Sequence, residues 1–515
     1  MADMLLADLV RASRAVGATR SRKAKVAALA AALAEATPEE VETATSYLSG
    51  ALRQRRTGLG WRSLGGLPEP AAESTLTVAA VDAAFEELSR VAGPGAQGRR
   101  SALSTALFAA ATAEEQDYLR GLVSGELRQG ALDGLMLEAV AVAADVPADA
   151  VRRAAMFAGS TLPVAAAAMS GGTPALGAFG LRPGRPVRPM LASSANDVEE
   201  AVGKAAPRGE PVAVDTKLDG IRIQVHKYDG RVHVFTRSLE EITDRVPEVV
   251  DAVAALPAAA LVLDGEAIAL GPDGRPRPFQ ETGARTASRV DVASLRAQVP
   301  LTSYFFDVLH ADGEDLVDRP GRERFTRLEQ VLPSTLVVPR TVTTDLAEAR
   351  RLFAEAVAAG HEGVVVKGLG VAYEAGRRGS GWVKVKPRHT LDLVVLAVEW
   401  GSGRRRGWLS NIHLGARDPA TGGFVMLGKT FKGMTDEMLT WQTDRFLALE
   451  ESRTAHVVRV RPEQVVEVAF DGIQTSTRYP AGMALRFARV LRYRDDKTAE
   501  EADTVDTVRS LHTGG

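Results

Sequence analysis

Val214-Asp215-Thr216-Lys217-Leu218-Asp219-Gly220-Ile221-Arg222-Ile223-Gln224-Val225-His226-Lys227 leaves one apolar run and enters a strict alternation, with a lysine at the junction. Tyr228-Asp229-Gly230 follows, and Arg231-Val232-His233-Val234-Phe235-Thr236-Arg237 alternates again. Period two on both sides of an Asp-Gly pair predicts a β-hairpin, and hence an antiparallel sheet. Lys217 falls just before that sheet, where a solvated side chain is not expected. Burial or neighbouring positive charge lowers an amine's pKa and makes it nucleophilic, so Lys217 is a candidate nucleophile toward phosphorus. Lys-x-Asp-Gly on its own reads equally as a strand end followed by a turn. The surrounding chain has to decide between the two.

Working outward, Leu261-Val262-Leu263, Tyr304-Phe305-Phe306 and Val364-Val365-Val366 read as strands, with helical spacing over 322–332 and 346–359. Together they predict an α+β domain with antiparallel sheets over residues 190–387. Residues 1–170 are rich in Ala, Leu, Glu and Arg at helical spacing and predict an all-α domain. Residues 171–189 hold Gly171-Gly172-Thr173-Pro174 and Pro183-Gly184-Arg185-Pro186, which break regular structure and predict a linker. Residues 388–500 carry short strands among glycines, interrupted by a helix over 435–450, and predict a small β-barrel. The polar stretch after Lys497, with the tail 501–515, is expected to be loosely held.

A chain of 515 residues exceeds one core and predicts several domains. Basic and acidic residues number 63 and 65, so nucleic acid must be met by local patches rather than net charge. The absence of cysteine excludes disulfides, thiol nucleophiles and thiolate zinc sites. Acidic residues stand where a signal peptide needs basic ones and no apolar run reaches membrane-spanning length, so a cytoplasmic protein is expected.

Several other segments carry chemistry. Asp264 and Glu266, in Leu263-Asp264-Gly265-Glu266, share one strand face and suit a metal or ribose hydroxyls, or else a solvated face. His361-Glu362-Gly363-Val364-Val365-Val366-Lys367 ends a buried-looking strand with an acid and a base, and Glu362 is a hard ligand suited to magnesium, or else part of a salt-bridged strand end. In Trp382-Val383-Lys384-Val385-Lys386, period two points both lysines one way and both valines into the core. That makes a phosphate clamp, or an edge strand guarded by lysines. Phe306 offers a face for a base or for the core. Arg404-Arg405-Arg406, Lys429 and Lys432 suit DNA phosphates or a solvated surface.

In this order, these segments resemble the nucleotidyltransferase motifs of the ATP-dependent DNA ligases, in the bacterial form with a helical N-terminal DNA-binding domain and an oligonucleotide-binding (OB) barrel. Lys217 to Arg222 resembles the family's first motif, Thr236-Arg237-Ser238 the arginine motif, and Leu263 to Ala269 the third. Phe306 to Leu309, Glu362 to Lys367 and Trp382 to Lys386 resemble the next three. Leu485-Arg486-Phe487-Ala488-Arg489 and Arg494-Asp495-Asp496-Lys497 resemble the last, in the barrel. Leu119 to Gly130 resembles a segment of the helical domain of larger ligases, and Pro186 to Ala192 the entry to their catalytic domain. Ser238 stands where the family often has Asn, and Ala488 where it often has Pro; neither removes a charge.

The resemblance implies that Lys217 attacks the α-phosphate of ATP to form lysyl-AMP. AMP then passes to the 5′-phosphate of a nick, and the 3′-hydroxyl displaces it. Lys384 and Lys386 would hold the α-phosphate, Phe306 would stack on adenine with Asp215 beside it, and Glu266 would meet ribose or metal. Glu362 would bind magnesium, with manganese as a substitute. Arg222 and Arg237 would contact the nucleotide or the nick phosphate, and Arg494 and Lys497 would orient pyrophosphate once the barrel closes. Nicked duplex DNA is the implied partner of a monomer acting on the bacterial nucleoid. RNA ligases and GTP-using capping enzymes share the lysine motif, but the helical N-terminal domain points to duplex DNA. NAD-dependent ligation is disfavoured without a cysteine zinc module, and a catalytically silent DNA-binding scaffold by the retained lysines and glutamates.

Overall fold

The structure, a computed structural model, describes residues 3–54, 56–127, 133–375 and 378–513. Up to Gly177, nine α-helices and no extended strand occur among the described residues. Their starts follow capping chemistry. The Ser21 and Thr77 side chains accept from the backbone N–H of Ala24 and Ala80, and Thr112 and Glu115 cap one another's backbone. Leu9, Leu33, Phe85, Phe108 and Met136 close a single helical core. Residues 128–130 of the segment from Leu119 to Gly130 lie outside the described residues. The helix Leu162–Gly177 continues through the glycines expected to end it, with a kink at Gly172, whose φ is 58°. Packing of Val164, Ala165, Ala168 and Leu176 in the helical core holds it together on both sides of that break.

The middle of the chain forms two five-stranded sheets. The first has the order 191–194, 378–385, 363–368, 212–217, 340–343; the second runs 231–236, 221–228, 261–269, 301–311, 314–315. The predicted hairpin is present, with Tyr228 paired to Arg231 across the two-residue Asp229-Gly230 turn. Most pairings are antiparallel, and the short strand 191–194 adds in parallel at one edge. Val383 and Val385 lie in the core of the first sheet with Val212, Val214 and Val366, as their alternation requires.

The last part is a seven-stranded sheet around Leu393, Ile412, Phe446 and Val468, with the helix Asp436–Ala448 packed on it and capped by Thr435. Among the described residues its ladders form an open path with a branch, so they do not close the barrel expected from the sequence. The tail is also firmer than expected. Residues 505–513 form a helix whose Val505 and Val508 enter the core, and Asp503 N–H donates to Asp392 O at 2.8 Å.

The three parts touch. Arg153 forms two bonds with Asp318 at 2.6 and 2.7 Å, and Met156 and Phe157 pack with Leu309 and Val317. Arg486 meets Asp219 at 2.9 Å, and Gln280 Nε2 donates to Thr475 O at 3.2 Å. No helix among the described residues is long and apolar enough to cross a membrane.

Candidate active site

A cleft of about 870 Å³ opens where the two middle sheets meet the last domain. Lys217 ends its strand at this cleft. Register pairs it with Gly363, so Glu362 N–H donates to Lys217 O at 3.0 Å and the two side chains meet as an ion pair. Gly363 is needed there: its φ is 130°, and a Cβ would fall 2.1 Å from Val385 O. Gly220 is needed for a different reason, because a Cβ would lie 2.3 Å from Ala267 O and 2.9 Å from Glu266 Cγ. The lysine loop therefore lies directly against the strand that carries Glu266.

Glu362 sits between two cations, with Lys217 on one oxygen and Lys386 on the other. Burial alone would raise its pKa, but the two lysines outweigh that and hold it below the usual carboxylate range. Glu266 has no such close partner. Desolvation pushes its carboxyl up to about 7 even though Lys217 and Arg222 oppose the shift. One glutamate is thus a fixed anion beside Lys217, and the other is a desolvated acid at the cleft.

The two aspartates on these strands are spent on internal ion pairs. Asp264 accepts a two-pronged bond from Arg222 at 3.0 and 2.7 Å. Asp215 takes Arg340 at 2.6 and 2.7 Å and Lys367 at 2.7 Å, all nearly inaccessible to solvent. Burial lowers Lys367 to about 8 despite Asp215. Its ammonium lies 4.6 Å from the Phe306 ring centre and 4.1 Å from that of Trp382. Phe306 itself is half-buried and lines the cleft.

Among the residues singled out from sequence, Lys217, Asp215, Arg222, Arg237, Glu266, Phe306, Glu362 and Lys384 line this cleft together. Lys386 is beside it, paired with Glu362 and with Asp471 at 3.2 Å; the two carboxylates outweigh its burial and keep its pKa above the lysine norm. Arg494 and Lys497 are not brought to the cleft. Arg494 lies on Asp392 at 3.1 Å and Asp496 at 2.6 Å, and Lys497 on Asp392 at 2.7 Å. Arg486 and Phe487 from the same domain line the cleft instead. Lys429 pairs with Glu399, Arg405 donates to Phe431 O at 2.6 Å, Lys432 sits 5.3 Å from the Phe487 ring centre, and Arg406 is exposed. The side chain of Arg404 lies outside the described residues.

Sequence reading gave no role to Arg340, Tyr373 or Asp471. Their immediate neighbours, Pro339 and Thr341, Ala372 and Glu374, and Phe470 and Gly472, carry no pattern that marks them. No group of three or more His, Cys, Asp or Glu side chains placed to hold a metal occurs among the described residues.

A lysine paired with a glutamate, a second glutamate, an aromatic ring and several cations share one cleft, the residue types that a covalent nucleotidyltransferase uses. Residues 189–386 match the ATP dependent DNA ligase domain, 405–497 the ATP dependent DNA ligase C terminal region, and 62–141 the DNA ligase N terminus. Proteins named probable DNA ligase from Nocardioides sp. and Beutenbergia cavernae are each 65% identical over 513 residues, covering 99% of both chains. One from Kineococcus radiotolerans is 62% identical over 511 residues. The solved structure Pmar-Lig_PreS3 shares the fold at TM-score 0.62 and 17% identity, over 94% of this chain and 99% of its own. The chain belongs to the ATP-dependent DNA ligase family, enzymes that seal nicks in duplex DNA.

Proposed function

We propose that Lys217 carries the AMP in this ligase. The observation behind the reading is the ion pair of Lys217 with Glu362 in a cleft that also holds Glu266, Phe306 and Lys384. Once deprotonated, Lys217 Nζ attacks the α-phosphorus of ATP, the bond to the β-phosphate oxygen breaks, and pyrophosphate leaves. A 5′-phosphate oxygen of the nick then attacks the same phosphorus and frees the lysine. Finally the 3′-hydroxyl attacks the 5′-phosphorus and AMP departs. Each step gathers charge on non-bridging oxygens, which fixed cations offset. Lys384 and Lys386 supply them at the α-phosphate, Lys386 by exchanging Glu362 and Asp471 for phosphate. Phe306 stacks on the base with Asp215 at its edge, and Arg222 and Arg237 hold the nucleotide or nick phosphate.

Glu266 and Glu362 fit a magnesium ion, or manganese in its place. Two hard carboxylates lining one cleft leave the remaining positions for phosphate oxygens and water, and a cation there would offset the desolvation that raises the Glu266 carboxyl. Such an ion supplies charge neutralisation at the phosphates. Arg494 and Lys497 orient pyrophosphate only after the last domain turns, so domain motion is part of the cycle.

We further assign the helical part up to Gly177 to DNA binding, with 178–189 in place of the expected 171–189 as linker, 190–387 to adenylation, 388–500 to an OB fold and 501–515 to a packed C-terminal tail. Arg404, Arg405, Arg406, Lys429, Lys432 and Arg237 grip phosphates of the nicked duplex without reading sequence. The protein acts as a cytoplasmic monomer on nucleoid DNA.

The test is incubation with α-labelled ATP and magnesium beside Lys217→Ala. Label on the wild type alone, chased onto nicked duplex and released as the strand is sealed, supports the assignment. Label retained by Lys217→Ala would refute it.

A further inference from the structure

Arg222 lines the cleft, yet all three of its guanidinium nitrogens are already committed. Nε and Nη2 grip Asp264, and Nη1 donates to Met190 O at 2.7 Å. The fork therefore cannot turn without breaking several bonds. Behind it stands Tyr373, on the connection that leaves the strand 363–368, with its backbone N–H on Val317 O at 2.9 Å. Its hydroxyl donates to Asp264 Oδ2 at 2.6 Å and accepts from Met190 N–H at 3.0 Å, while Arg222 Nη2 lies at 3.4 Å. The ring is 2% exposed and meets the edge of Trp382, with centres 5.8 Å apart. One hydroxyl thus joins the chain entering the catalytic sheets, the aspartate and the arginine.

We propose that Tyr373 is a positioning residue for phosphoryl transfer, fixing the plane of the Arg222 guanidinium through Asp264 and Met190. This rests on the role given to Arg222 above. Tyr373 itself is absent from the cleft lining, so it acts through the arginine alone. Loss of its hydroxyl leaves Met190 N–H unpaired and Asp264 with one donor fewer. Arg222 then gains freedom in a site where small misplacements are felt as rate.

The test is a double-mutant cycle of Tyr373→Phe and Arg222→Lys, which keeps the charge but removes the fork. The pre-adenylated enzyme is mixed with excess nicked duplex, and the single-turnover sealing rate is read beside the Tm. Tyr373→Phe is expected to slow sealing about tenfold in the wild type. It should add less than about twofold to Arg222→Lys, which has no fork left to orient. Equal fold-losses in both backgrounds, or no loss in the wild type, would overturn the proposal. If Arg222→Lys alone leaves sealing unchanged, the reading of Arg222 fails; if it slows sealing while Tyr373→Phe does not, the positioning role alone fails.

Discussion

The last domain presents two charged faces, and they are used differently. One enters the cleft, with Arg486 on Asp219, Asp471 on Lys386, and Phe487 at the rim. The other keeps Arg494 and Lys497 on Asp392, with Arg494 also on Asp496. Both faces carry arginines of the last motif, but the resemblance sends Arg494 and not Arg486 to the nucleotide. The difference teaches that a motif identifies which chemistry a residue can do, while contacts between domains decide whether it stands at the cleft. On the domain motion proposed above, the charging step needs the other face at the cleft.

The largest expected effect comes from breaking that assignment directly. Arg494→Ala should slow self-adenylation by about a hundredfold while sealing by pre-adenylated enzyme stays within about threefold, since one fixed cation at a transferring phosphate is worth that much. Rapid-quench kinetics of the two steps would measure both. Arg486→Ala should do the reverse, lowering sealing by about tenfold through loss of a half-buried docking pair and sparing adenylation. Asp392→Asn should raise the adenylation rate a few-fold, roughly 3-fold, by weakening the hold on Arg494 and Lys497. An unchanged or lower rate would mean that Asp392 orients them for the reaction.

The smallest effect sharpens the contrast between the two glutamates. Glu266 has a folded pKa near 7 against an ordinary 4.5. A carboxyl raised in this way contributes stability that is full below the unfolded value and is lost as pH rises through the folded one. Glu266→Gln should therefore be about 1–2 kcal/mol more stable than wild type at pH 8, with the gain fading toward pH 5. Glu362→Gln, which strips the anion from two lysines, should be destabilised at pH 8 instead. Thermal melts across pH would show both trends.

Much of the catalytic region was legible because its strands announce themselves. The alternation around Asp229-Gly230, the valine run before Lys367, and Val383 and Val385 against Lys384 all occupy the faces their periodicity requires. The pairing of Lys217 with Glu362 was not legible, because it depends on a register set across 145 residues of sequence (362 − 217). Tyr373 carries no periodic signal at all. The helix at the C-terminus was hidden by its polar composition, although Val505 and Val508 keep the three-residue spacing that buries one face. The glycines after Ser170 overstated the break, since core contacts on both sides of Gly172 outweighed its propensity. The place of Arg494 and Lys497 depends on contacts between domains, which no local pattern encodes.

The most direct test holds the docked face in place. The chain has no cysteine, so Gln280→Cys with Thr475→Cys gives two unique thiols beside the contact at 3.2 Å. A short bifunctional thiol reagent would then tether the domains. Added before ATP, it should suppress self-adenylation by about a hundredfold; added after adenylation, with nicked duplex already bound, it should leave sealing nearly intact. Self-adenylation at the untethered rate in the cross-linked enzyme would contradict the account.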